Sequence, residues 1–227
     1  MAHHSVFVAG ATGYLGRALI PRLIERQHTV RGLARQGSEG KLPAGCEPVV
    51  GDALDQATFA MHIRPSDTFV QLVGVPHPGP AKAEQFRKID LVSARASVAA
   101  ASANGIEHFI YVSVAQPAPI MKVYQEVRAE GERLIRASGM NATILRPWYI
   151  LGPGHWWPYF LVPAYRLCER IPATRAGALR CGLVTLKQMV NALIAAVESP
   201  ASGIKVIEVP GIRSEPMPDN STAKALR

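Results

Sequence analysis

Gly10-Ala11-Thr12-Gly13-Tyr14-Leu15-Gly16 repeats glycine after every second intervening residue. The run follows the apolar stretch Ser5-Val6-Phe7-Val8-Ala9 and precedes a helical recurrence of Leu15, Leu19, Leu23 and Ile24. A glycine turn between a strand and a helix suits one kind of chemistry. It brings backbone N–H groups and the positive end of a helix dipole against phosphate. Gly10 allows the tight turn, Gly13 leaves room for a pyrophosphate, and Gly16 lets the helix pack closely on the strand. The spacing differs from the commoner G-x-G-x-x-G fingerprint. A bare glycine turn is also compatible with a purely structural role. Its place between strand and helix makes it a dinucleotide cradle.

Residues at the ends of later strands would complete the cradle. The second strand reads Val30-Arg31-Gly32-Leu33-Ala34-Arg35 and lacks the acid that would hold a ribose 2′-hydroxyl. Arg35, with Arg31 as second choice, offers a guanidinium to a 2′-phosphate, which favours NADP over NAD. The alternative leaves both as surface arginines. Gly51-Asp52-Ala53 brings Asp52 toward the adenine, with Leu54 packing on it. Val73-Gly74-Val75 lies along the adenosine side, and Val112 near the end of the fifth strand and Pro147 just after the sixth lie beside the cofactor.

Positioning these residues requires a layered fold. Apolar β-prone runs at 5–9, 29–34, 47–50, 68–73, 108–113, 142–146 and 205–209 alternate with helical patterns at 14–27, 83–104, 122–138 and 187–198. Asp55 caps a further short helix over 55–63. Pro21 removes one backbone donor and is expected to bend the first helix or loosen a turn. Gly105 and Gly139 close two helices. Near-continuous apolar strands between helices indicate an α/β class, a Rossmann-type doubly wound parallel sheet covered on both faces. Residues 148–182, rich in Trp, Pro and Gly, read as a small C-terminal cap on the substrate side, with a helix over 158–169 and an extended piece at 183–185. The expected organisation is one NAD(P)-binding domain over 1–210 and a polar tail, 211–227, loosely held or packed on a neighbour.

A chain of 227 residues with 48% hydrophobic and 19% charged residues fits one substantial soluble core. No apolar run spans a membrane and the start lacks the plan of a signal peptide, so a cytoplasmic protein is expected. Cys46, Cys168 and Cys181 are odd in number and far apart, which speaks against a disulfide framework and a zinc site. The net charge of +8 comes from singly scattered basic residues, a pattern that suits an anionic cofactor better than nucleic acid. The expected partner is a small-molecule substrate, with the chain a monomer or homodimer. His3 and His4 are assigned no role.

Gly10 to Gly16, Gly51-Asp52, Asn104 to Ser113 and Thr143-Ile144-Leu145-Arg146-Pro147 occur in the order seen in the short-chain dehydrogenase/reductase superfamily. The chain resembles its extended and atypical NAD(P)-binding branch, which includes NmrA-like proteins and NAD-dependent epimerase/dehydratase relatives. The resemblance covers residues 5–210.

That resemblance implies an active site. Catalytic members pair a Tyr acid/base with a Lys four residues later, and a Ser or Thr after the fifth strand orients the substrate oxygen. A free Tyr titrates near about 10, so a neighbouring positive charge is needed near neutrality. Tyr124 and Arg128 stand at that spacing, followed by Ala129-Glu130-Gly131-Glu132. Arg128 keeps the charge of the family Lys and could still bond ribose hydroxyls, but its planar fork sits differently. Lys122 points to another side of the helix. Ser113 ends the fifth strand, while Val114 and Ala115 fill the positions where the family hydroxyl often falls. In one reading Tyr124 donates the proton, Arg128 is its electrostatic partner and Ser113 orients the substrate. In the other, Tyr124 and Arg128 line the cofactor pocket without chemistry or lie on the helix surface.

The segment from Pro147 to Pro158 follows the sixth strand and should border the nicotinamide. Trp148, Tyr149, His155 and Trp156 are its candidate substrate contacts, suited to an apolar ligand. Packing of the cap or a dimer contact is the other use for these aromatics. The expected function is an NADP-dependent oxidoreductase reducing a small apolar carbonyl, quinone or enone. The alternatives are a non-catalytic NADP(H)-sensing or partner-binding protein, and an epimerase or isomerase that recycles its cofactor.

Overall fold

The computed structural model describes residues 3–153 and 162–214. Seven parallel strands form the main sheet: β1 (Ser5–Ala9), β2 (Thr29–Ala34), β3 (Glu47–Val50), β4 (Thr68–Gln71), β5 (His108–Val112), β6 (Asn141–Arg146) and, after two short strands, β9 (Ile204–Glu208). Those two, β7 (Tyr149–Leu151) and β8 (Leu183–Thr185), pair with each other in a separate parallel sheet. The helices are α1 (Tyr14–Glu25), α2 (Ala83–Gln85), α3 (Val92–Ala103), α4 (Lys122–Ala137), α5 (Val162–Arg170), α6 (Pro172–Arg180), α7 (Leu186–Glu198) and α8 (Val209–Ser214). The main sheet runs β3-β2-β1-β4-β5-β6-β9, a Rossmann-type doubly wound order. Its direction of winding reverses between β1 and β4, which opens a crevice at their carboxyl ends.

β1 shows why both faces are covered. Val6 and Val8 join one core with Leu19, Leu23, Leu193 and Val197 of α1 and α7. Phe7 and Ala9 join the opposite core with residues of α3 and α4. Phe7 faces Phe69 of β4, and Phe69 faces Phe109 of β5, with ring centroids 5.1 and 5.2 Å apart. A strand that is apolar on alternating sides must be packed twice, which a parallel βαβ winding achieves.

Several local expectations change. Pro21 lies inside α1 without ending it, because Leu19, Ile20 and Leu23 are fully buried around it. Residues 55–63 make two 3-10 turns, Gln56–Thr58 and Ala60–His62, not one α-helix. The Asp55 carboxylate still caps, accepting from the Ala57 N–H at 3.0 Å. The helix over 83–104 carries a π-helical turn at Phe86–Leu91. β7 and α6 are additional to the sequence reading. Of the tail, 211–214 belong to α8, whose Ile212 is fully buried, so this part is not loosely held.

Candidate cofactor and active site

Gly10 leaves β1 with φ at +84°, and the Gly13 N–H returns to its carbonyl at 3.0 Å. A Cβ on Gly16 would lie 2.5 Å from the carbonyl oxygens of Gly10 and Ala11, so only glycine lets α1 sit this close. Gly13 caps α1 with no side-chain hydrogen bond. The first-turn N–H groups are therefore not satisfied by a capping side chain, as a pyrophosphate site requires. The residues fit a dinucleotide.

The turn opens into a cleft of about 540 Å³. It brings together Gly10, Gly13, Tyr14, Leu15, Gly74, Val75, Val112, Ser113, Tyr124, Arg128, Pro147, Trp148 and Tyr149. Ala11, Thr12, Gly16, Arg35, Asp52, Ala53 and Val73 are not on its wall. His155 and Trp156 lie outside the described residues. The wall also includes residues that the sequence reading missed, chiefly Arg17, Pro76, His77 and Pro78. Arg17 follows Gly13 by one helical turn, its N–H bonded to the Gly13 carbonyl at 3.0 Å. That spacing was the available signal: a cation four residues into the helix lies over the turn.

At the adenosine end, Arg35 is exposed just beyond β2. Arg31 is not available to a 2′-phosphate. Its Nε and Nη2 pair with Glu47 of β3, and its Nη1 donates to the His62 and Arg64 carbonyls. The second choice made from the sequence is therefore corrected: a strand partner holds this guanidinium. Asp52 is exposed, with Oδ1 accepting from the Leu54 N–H at 3.0 Å. Leu54 is half-buried, and Val73 and Ala53 pack against the α3–α4 core.

Arg128 is only 5% exposed, so it is not a surface residue. Its Nη2 lies 2.6 Å from Asp90 Oδ1, and its Nη1 donates to the Val112 carbonyl at 2.9 Å. The guanidinium carbon is 5.1 Å from the centre of the Tyr124 ring and 5.8 Å from that of Tyr111. Burial pulls the Arg128 pKa down, but Tyr124, Tyr111 and Asp90 together carry it above its ordinary value. Burial raises the Asp90 pKa, against Arg128 and the Val75 N–H. A guanidinium stays protonated at any ordinary pH, so the pair is ionic. Asp90 comes from the π-helical turn, a feature often found at functional sites. Each Nη atom makes one of these bonds, whereas the buried Nε has no hydrogen-bond partner among the described residues. Tyr124 packs on Phe86 at 4.8 Å between ring centres and faces the cleft. Lys122 is exposed at the start of α4.

Ser113 borders the cleft but is 2% exposed, and its hydroxyl donates to Glu132 Oε1 at 2.6 Å. Glu132 is itself buried and gathers Gln116 and Arg146, which also reaches Glu208. The Ser113 hydroxyl thus belongs to a polar network tying β5 to α4 and β6.

Residues 10–153 match a family described as NAD(P)H-binding. Among curated proteins, the chain is 26% identical to a ceramide reductase of Caulobacter vibrioides over 92% of this chain and 65% of that one. It is 28% identical to a 3-diazoavenalumate denitrifying reductase of a Streptomyces species, over 87% of this chain and 73% of that one. The chain thus spans just under two thirds of the length of the first of these reductases. Among solved structures, the Bordetella bronchiseptica enzyme WbmH in complex with NAD+ superposes with a TM-score of 0.67 at 19% identity, over 91% of this chain and 76% of that one. With the glycine cradle and the strand order in place, the chain belongs to the NAD(P)H-binding family, and its likeness to the solved structure is one of fold.

Proposed function

We propose that this chain is an NADP-dependent oxidoreductase that reduces a small apolar carbonyl, quinone or enone. The observation that carries the reading is one shared cleft: Tyr124, the glycine turn and the aromatic pair Trp148 and Tyr149 face the same space. When bound, the nicotinamide supplies the hydride. The Tyr124 hydroxyl donates the proton to the substrate oxygen. Arg128, held in place by Asp90, sets a positive charge against the Tyr124 ring. Trp148, Tyr149 and Pro147 exclude water from the reacting carbon. The reductases among the relatives support reduction as the direction. NADP is favoured because Arg35 follows β2 without an accompanying acid. Three free thiols suit a reducing compartment, and we assign the cytoplasm.

The second reading is a non-catalytic NADP(H) sensor. It is favoured by the Ser113 hydroxyl being bonded to Glu132 and the Arg128 charge being matched by Asp90. NADPH consumption across quinones, aldehydes and enones separates the two, with Tyr124→Phe beside the native chain. Loss of a proton donor should lower turnover by about 100-fold or more. Tight NADPH binding with no turnover of any acceptor selects the sensor. Equal turnover by Tyr124→Phe removes that residue from the mechanism. For the cofactor, Arg35→Ala should lose NADP affinity and keep NAD affinity.

A further inference from the structure

Trp148 of the cofactor cleft neighbours Tyr165, which lines a second cleft of about 530 Å³. α5 and α6 form one wall, and Pro117 and Pro119 from the β5–α4 connection form the other. The volume falls within the roughly 300–1,000 Å³ usual for small-ligand sites. Among the described residues the lining is mostly apolar and contains no carboxylate. Among the described residues its single charged side chain is Arg180, which makes no hydrogen bond or ion pair with them.

α6 leaves this space unfilled. Ala173 and Gly177 stand one helical turn apart on the cleft wall, and no described residue outside α6 lies within 4 Å of where a Gly177 Cβ would be. Glycine inside a helix is less favourable than alanine by about 1 kcal/mol. No close backbone approach requires it here. What its missing side chain leaves is volume in the cleft.

We propose that this cleft binds an amphiphile, with the apolar tail among Pro117, Pro119, Ala173 and Gly177 and one anionic group at Arg180. Its place beside the cofactor cleft, with Tyr165 next to Trp148, suits it to be the tail site of the substrate reduced there. That last assignment rests on the reductase reading, whereas the binding itself does not.

Calorimetric titration of the whole chain with decanoate and with 1-decanol, with and without saturating NADPH, tests it. Decanoate should bind, should bind more tightly than 1-decanol, and should do so equally with NADPH present. Gly177→Leu has room for its side chain and a better helix propensity, so it should fold, keep NADPH affinity and weaken decanoate by about tenfold or more. Arg180→Gln should erase the preference for decanoate while retaining 1-decanol. Absence of decanoate binding, indifference to Gly177→Leu, an unchanged preference in Arg180→Gln, or competition with NADPH would each overturn the proposal. None of these readouts uses turnover. A chain that binds decanoate in this way and reduces nothing supports the site and overturns the reductase reading.

Discussion

Arg128 carries its charge into an interior where Asp90 is the ion-pair partner. Removing one member of a buried pair leaves the other uncompensated, at a cost of about 3–5 kcal/mol. Asp90→Asn should therefore lower the urea midpoint sharply, and replacing both residues by apolar ones should recover much of the loss. If Asp90→Asn unfolds like the native chain, the pair is not holding α4 against the π-helical turn. Gly16 gives a second residue-scale prediction. A Val there would press on the carbonyls of Gly10 and Ala11 and displace the turn. NADPH affinity should fall by about tenfold or more, read by fluorescence titration.

At the scale of elements, α7 starts with a capping box. The Thr185 hydroxyl accepts from the Gln188 N–H at 3.2 Å, and the Gln188 side chain accepts from the Thr185 N–H at 2.8 Å. α7 shares one face of the sheet with α1, so fraying at its start is felt by the core. Thr185→Ala should cost about 1 kcal/mol in chemical unfolding and leave cofactor binding unchanged. The site depends on a different element, the π-helical turn at Phe86–Leu91. Its extra residue places Asp90 under Val75 and against Arg128. In the sequence this stretch is an ordinary helical pattern. The irregularity was not legible because its reasons, Arg128 and Val75, lie on other elements.

For the molecule as a whole, the end of the sheet opposite the cofactor sets the pH response. His108 is 1% exposed on β5, with its Nε2 3.0 Å from the Thr143 hydroxyl and accepting from the Ala201 N–H. Burial pushes its pKa down to about 4, helped by His4 and Lys205 and opposed by Asp67. Burial also lowers the pKa of His28, against the pull of Glu198. Between about 4 and the unfolded value of 6.5, the unfolded chain holds a proton at His108 that the fold does not. Stability therefore rises with pH through that window, is complete above it, and is lost as pH falls. The His108 contribution is about 3 kcal/mol, and His28 adds in the same direction. Urea unfolding should show a lower midpoint at acid than at neutral pH, and His108→Gln should shrink the difference. An unchanged slope in that variant would assign the acid sensitivity elsewhere.

Alternation of apolar strands and amphipathic helices determined the parallel sheet by itself, because each strand had to be buried on both sides. The glycine spacing determined the cradle equally directly, since φ at Gly10 and the contact at Gly16 admit no side chain. Local chemistry carried such features: a turn, a cap and a hydrophobic period are written within a few consecutive residues. Tertiary structure decided what the charges do. Arg31 went to Glu47 on the neighbouring strand, Ser113 to Glu132, and Arg128 to a carboxylate 38 residues away. It also decided that Arg17 joins the glycine turn at the cleft and that Arg180 borders a second cavity. An ion pair or a cavity wall is made by groups that only the fold brings within a few ångströms, and no period in the chain records it.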